Sequence, residues 1–252
     1  MKRALAYVAV AGVALALAAC GSPRPRGPSN AVIERALTGA PGAAQPSAIV
    51  STEIAFARAA REKGQWTAFA EYAAPGALIH GGNGVIEAAP WLATQSNPPA
   101  AVQWAPRTVV MSCDGALAVS LGRYRDPAGI VGNFVTVWQR QPDRSYRYVY
   151  DVGGPDVPQP APRREIEDGN IVVTAIDAVQ GLIATCPRSG EPTPPPPADS
   201  AVAAKPAEVK QSPDGTLRWR FEHRPNGEKY VVAEYYYLGE WTTAVEESLA
   251  SG

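Results

Sequence analysis

The 252-residue sequence predicts an α+β fold, and three observations predict it. Helical spacing of apolar residues is concentrated early, in residues 47–73 and again near 84–95. Four β-rich runs follow, at about 103–111, 116–124, 131–141 and 145–152, with short turns between them. A further β-rich stretch fills 207–252. Helices first and strands afterwards is the order of a sheet with its helices packed on one face.

The elements follow in chain order. Lys2 and Arg3 precede a small apolar run, Ala4–Ala16, and then Leu17-Ala18-Ala19-Cys20. This predicts a secretory signal over 1–19, because the run is shorter than the roughly 20 residues a spanning helix needs. Leu-Ala-Ala-Cys resembles the bacterial lipobox. That resemblance implies cleavage before Cys20, acylation of Cys20 (palmitate among the acyl chains) and a membrane lipoprotein. Gly21 in place of Asp points to the outer membrane, facing the periplasm. The alternative is an ordinary leader with an incidental Cys. Residues 20–46 are rich in Pro, Gly and Arg and read as a flexible tether, with a short helical piece at Ala31–Leu37.

In the main block, Ile49, Val50, Ile54, Phe56, Ala57 and Ala60 form one broad helical stripe. Ser47 or Ser51 is the expected cap and Gly64 the expected stop. Trp66, Phe69 and Ala73 continue at helical spacing until Pro75-Gly76. "ALIHGG" reads as a short strand. "GVIEAAPWLATQ" reads as a third helix, interrupted at Pro90. Asp114-Gly115, Asp126–Gly129 and Pro142–Arg144 then turn four strands into an antiparallel meander.

Two Pro-rich stretches, 153–162 and 187–206, read as linker, and Pro194–Pro197 favours an extended polyproline conformation. The expected organisation is a main α+β domain at 47–153 and a linker region at 154–206, with a short element at 163–186. A small C-terminal β appendage follows at 207–252. Within the appendage, Leu217, Trp219 and Phe221 alternate with charged residues, Asn226-Gly227 marks a hairpin, and Glu240–Val245 offers a third strand. So few strands are marginal alone, so the appendage must pack on the main domain or form its own small sheet.

Composition excludes several classes. There are 24 acidic against 23 basic side chains, two of the latter in the leader, and no basic stripe, which argues against nucleic-acid binding. With Cys20 assigned to lipid, Cys113 and Cys186 remain in an oxidising compartment, where an even remainder favours a disulfide; two buried thiols are the alternative. No Cys or His cluster has metal-ligand spacing, and no cofactor motif is present: "GGNG" at 81–84 lacks the Lys-Ser/Thr of a phosphate loop.

The order helix, Trp-x-x-Phe, "ALIHGG", "VIEAAPWL", "PRTVVMSCDGALAVSLGRY" and "GNFVTVWQRQPDRSYRYVYDVG" resembles the nuclear-transport-factor-2-like superfamily, specifically its SnoaL-like bacterial members, over about 47–153. The resemblance implies a strongly curved antiparallel sheet, a cystatin-like cone, wrapped around a helix and enclosing a cavity. It also implies pairing through the sheet into a homodimer, unless the appendage covers that surface. It does not imply one function.

Two functions remain open. One is a non-catalytic, membrane-anchored protein whose cavity takes a small apolar ligand or an envelope protein partner, with Tyr72, Trp91, Trp104 and Phe134 as lining. The other is a SnoaL-like lyase or isomerase using His80 or Asp151 as acid/base. Alternation along the strand sets Tyr148 and Tyr150 outward if Asp151 points inward, so no acid/base constellation can be assembled from the sequence. Alternation also puts Phe134, Thr136 and Trp138 on one face and Val135 and Val137 on the other, without saying which meets the helices.

Overall fold

The computed structural model describes residues 44–161, 178–187, 192–205 and 208–251. The signal peptide, Cys20, most of the tether and most of the 163–186 element lie outside them. Helix α1 spans Pro46–Lys63, α2 Gln65–Tyr72 and α3 Ala88–Leu92. Strands β1 (Ala73–Gly81) and β2 (Gly84–Glu87) flank a tight turn. The meander is β3 (Gln103–Met111), β4 (Leu117–Arg125), β5 (Val131–Arg140) and β6 (Tyr146–Pro155). Then come β7 (Gln180–Ile183), β8 (Lys210–Gln211), β9 (Leu217–His223), β10 (Lys229–Tyr237) and β11 (Glu240–Leu249).

The meander strands lie where the sequence puts them, each antiparallel to the next. Two local expectations change. Helix α1 starts with Pro46 in its first turn and has no side-chain cap, so Ser47 lies inside the helix; proline's fixed φ suits that position. The stretch read as a third helix begins as strand β2, Gly84–Glu87, and only Ala88–Leu92 is helical.

The cystatin-like cone is corrected by the sheet itself. It has seven strands in the order β2-β1-β6-β5-β4-β3-β7 and is mixed, because β1 runs parallel to β6 and β7 parallel to β3. It is open, neither curled nor closed, with β2 and β7 at its edges. The physical reason is that both faces are covered. The helices pack on one face, where Ile49 and Phe56 meet Val109, Met111, Trp138 and Tyr148. The four-stranded sheet β11-β10-β9-β8 packs on the other, where Leu217, Trp219, Val231 and Val245 meet Val110, Val119, Val135, Val137 and Val152. A sheet wrapped around a helix has one face to bury; this one is the middle layer of three.

The lipoprotein, palmitate, membrane and outer-membrane expectations rest on Leu17–Cys20, outside the described residues, and are not carried forward. Among the described residues no helix is long and apolar enough to cross a membrane.

A disulfide ties two neighbouring strands of the seven-stranded sheet, and matched turns join that sheet to the second one. Cys113, after β3, is disulfide-bonded to Cys186, after β7. Ser112–Leu117 and Ser212–Leu217 fold alike. In each, the Ser hydroxyl donates to the Asp two residues on and accepts from the Leu N–H at 3.1 Å. In each, Gly115 or Gly215 takes a positive φ, which glycine adopts without steric cost. The turns also touch: Asp114 N–H donates to Asp214 Oδ2 at 2.8 Å and Cys113 N–H to Thr216 Oγ1 at 3.0 Å.

Candidate functional site

Strand β5 presents its ring face to the helices. Phe134 and Thr136 face them beside Trp138, while Val135 and Val137 enter the core against the second sheet. Large rings on that side would be expected to leave little space, yet a cavity of about 340 Å³ remains between α1, α2 and the sheet. This is within the usual size of small-molecule sites. Its walls are Phe56, Trp66, Phe69, Trp104, Tyr124 and Phe134, with Ile79, Thr136 and Asp151. Glycine makes room for one of these rings: a Cβ at Gly122 would strike the Phe134 ring and the Ala105 carbonyl.

Asp151 reaches this cavity because β6 is bulged. Val137 pairs with Tyr150, but Trp138 pairs with Tyr148, so Val149 is an extra residue. A bulge re-aims the side chains around it. Tyr148 therefore packs with the helices and donates to the Phe69 carbonyl at 2.9 Å. Tyr150 turns to the second sheet, and Asp151 returns to the helix side. Thr136 Oγ1 donates to Asp151 Oδ2 at 2.7 Å. Desolvation lifts the Asp151 carboxyl to about 6, against the lowering effect of that hydrogen bond.

A second carboxyl, Glu53 of α1, lies behind the cavity wall and is 1% exposed. Its Oε1 accepts from Ser120 Oγ at 2.6 Å and from Trp138 Nε1 at 3.2 Å; its Oε2 accepts from Trp104 Nε1 at 3.1 Å. Burial raises it to about 7. The charge on Asp151 adds to the rise, and the three donors oppose it. Sequence reasoning missed Glu53, although the signal was present: Ile49, Glu53, Phe56 and Ala60 follow the i, i+4, i+7, i+11 spacing of a buried helical stripe, with a carboxylate on it.

His80 is elsewhere. It neighbours Val152 in the β1–β6 ladder, as Ile79 neighbours Asp151, so it projects from the opposite face. Its Nδ1 is 2.6 Å from the Tyr150 hydroxyl and its Nε2 is 3.0 Å from His223 Nδ1. Desolvation, His223 and Lys229 together hold it down to about 4. It is a neutral joint between the two sheets, and the sheet separates it from Asp151. Of the four lining candidates, Trp104 and Phe134 border the cavity. Tyr72 stacks on Phe56 at 4.8 Å between centroids, and Trp91 meets Trp66 edge-on at 5.0 Å, both one layer back.

No family model matches the chain, and no curated protein matches it. Among solved structures, it is similar to a "Nuclear transport factor 2 (NTF2-like) superfamily protein" from Salmonella enterica subsp. enterica serovar Typhimurium str. LT2. The match has 16% sequence identity and a TM-score of 0.31 and covers 49% of this chain and 99% of that one. It is remote.

Proposed function

We propose that the cavity binds a small, largely apolar molecule, with Asp151 as its polar anchor. One observation carries this reading: a half-buried carboxyl faces a cavity of about 340 Å³ walled by six aromatic rings. Aromatic walls supply most of the buried contact area of such a site, and a single polar group fixes orientation. The stretch that resembles SnoaL-like proteins contributes Phe134, Thr136 and Asp151, which supports the same reading.

A second reading, proton transfer by a lyase or isomerase, is favoured by the lift of Asp151 to about 6, since a general base works best with a pKa near the working pH. In it Asp151 alone takes and returns the proton. His80, on the far face, has no part in it.

Titration with an environment-sensitive apolar dye tests the binding reading. Wild type is expected to bind the dye saturably, and Phe134→Ala, with a wall removed, to bind it with changed affinity. Because Phe134 borders empty space, its truncation should cost about 2 kcal/mol, below the 3–5 kcal/mol of a fully packed Phe. A larger loss together with no saturable dye binding in either protein would overturn the reading. Hydrogen–deuterium exchange at the α-carbon of a cyclic ketone separates the second reading: exchange by wild type that Asp151→Asn abolishes supports proton transfer, and its absence leaves binding alone.

A further inference from the structure

We infer that the preferred occupant of the cavity is an organic cation, an apolar ring or chain bearing one protonated amine. This deepens the binding reading above and rests on it.

The charged groups on the cavity wall itself have one sign, while the adjoining groove that shares Trp104 and Tyr124 carries Arg107, Arg123 and Arg125. Asp151 of β6 and Asp126, in the turn between β4 and β5, are the ionisable acids on its wall, and Glu53 of α1 lies directly behind. The other contributors are uncharged: Phe56 from α1, Gln65, Trp66 and Phe69 from α2, Ile79 from β1, Val102 and Trp104 at β3, Tyr124 from β4, and Phe134 and Thr136 from β5. Among the described residues no Lys or Arg lines it. Arg123 is directed away, to Asp156 and Asn133, the latter within reach of Glu247 of the second sheet.

Burial makes the charged forms of Asp151 and Glu53 costly until a cation arrives. Two carboxyls in one apolar region cannot both ionise freely, and the charge on Asp151 is one cause of the rise at Glu53. An ammonium group at Asp151 removes that repulsion. The faces of the surrounding rings carry negative quadrupole potential, which attracts a cation once water is excluded. A neutral ligand gains the apolar contact and a hydrogen bond to Asp151, without the charge attraction. An anionic one meets repulsion from Asp151 and finds no compensating donor charge on the wall.

Binding of phenethylamine, 2-phenylethanol and 3-phenylpropanoate to the protein, followed by calorimetry at pH 5 and pH 7.5, tests this. The three share an aromatic body and differ in charge. At pH 7.5 the amine is expected to bind about tenfold or more tighter than the alcohol, the increment of one charge-assisted contact, and the carboxylate weakest. Between pH 5 and 7.5, affinity for the amine should rise as Asp151 loses its proton, while affinity for the alcohol stays within about twofold. Asp151→Asn should abolish the advantage of the amine over the alcohol, and a cooperative denaturant transition reports that the variant is folded. Equal binding of amine and alcohol would overturn the cation inference and leave the binding reading standing. No binding of any of the three would overturn both.

Discussion

Replacing both Cys113 and Cys186 by Ser is expected to lower the unfolding free energy by about 4 kcal/mol. The bridge spans 73 residues of sequence, and closing a loop of that length removes conformational freedom from the unfolded chain worth about 4 kcal/mol on the loop-entropy account. The native strands keep their own pairing without it: Thr108–Met111 still bonds Gln180–Ile183 in register, and Ala184 N–H still donates to the Met111 carbonyl at 2.9 Å. The double Ser variant should therefore fold to the same structure and unfold at a lower denaturant midpoint with an unchanged slope. A loss below about 1 kcal/mol would show that the unfolded chain is already held together across this region.

Glu53→Gln is expected to change the sign of its effect with pH. The folded protein holds the Glu53 proton up to about pH 7, whereas an unperturbed Glu releases it near 4.5. A raised acid contributes its stability below the unfolded pKa and loses it as pH climbs through the folded one. In wild type the burial of Glu53 thus costs up to about 3 kcal/mol by pH 8. Gln carries no charge and avoids that cost, but its amide nitrogen faces an indole N–H that needs an acceptor, a loss of about 1 kcal/mol. The variant should be about 1 kcal/mol less stable than wild type at pH 4.5 and about 2 kcal/mol more stable at pH 8. Denaturation curves at the two values decide it. A constant difference between variant and wild type at both would mean that Glu53 does not titrate in this range.

What the sequence made legible is local. The strand positions followed from β-rich runs between turn residues whose backbone needs are specific, such as Asp114-Gly115 and Asn226-Gly227, where Gly115 and Gly227 have positive φ. The Cys113–Cys186 bridge followed from counting. The stacking of one sheet on another did not follow, because each side of the meander strands is apolar and alternation alone gives no partner. The cone came from resemblance, and the long-range packing of 208–251 against the sheet replaced it. At the site, Trp104, Phe134 and Asp151 were named, but their assembly was not. The obstacle was Val149: a one-residue bulge has no side-chain signature, and without it strict alternation forces Tyr148 and Tyr150 onto one face. Glu53 was legible and overlooked, since a charged residue at a stripe position is easily read as a break in the stripe.

The second sheet acts on the first as a bound partner chain would. It covers Val110, Val119, Val135, Val137 and Tyr150, a wall that another copy of the chain would otherwise be drawn to. Because this partner is tethered, its effective concentration is set by the linker and not by how much protein is present. Dilution cannot strip it off, and stability should be the same at any protein concentration. A chain lacking 208–251 would give up that independence: its uncovered wall should drive self-association that sedimentation detects and that deepens with every increase in concentration.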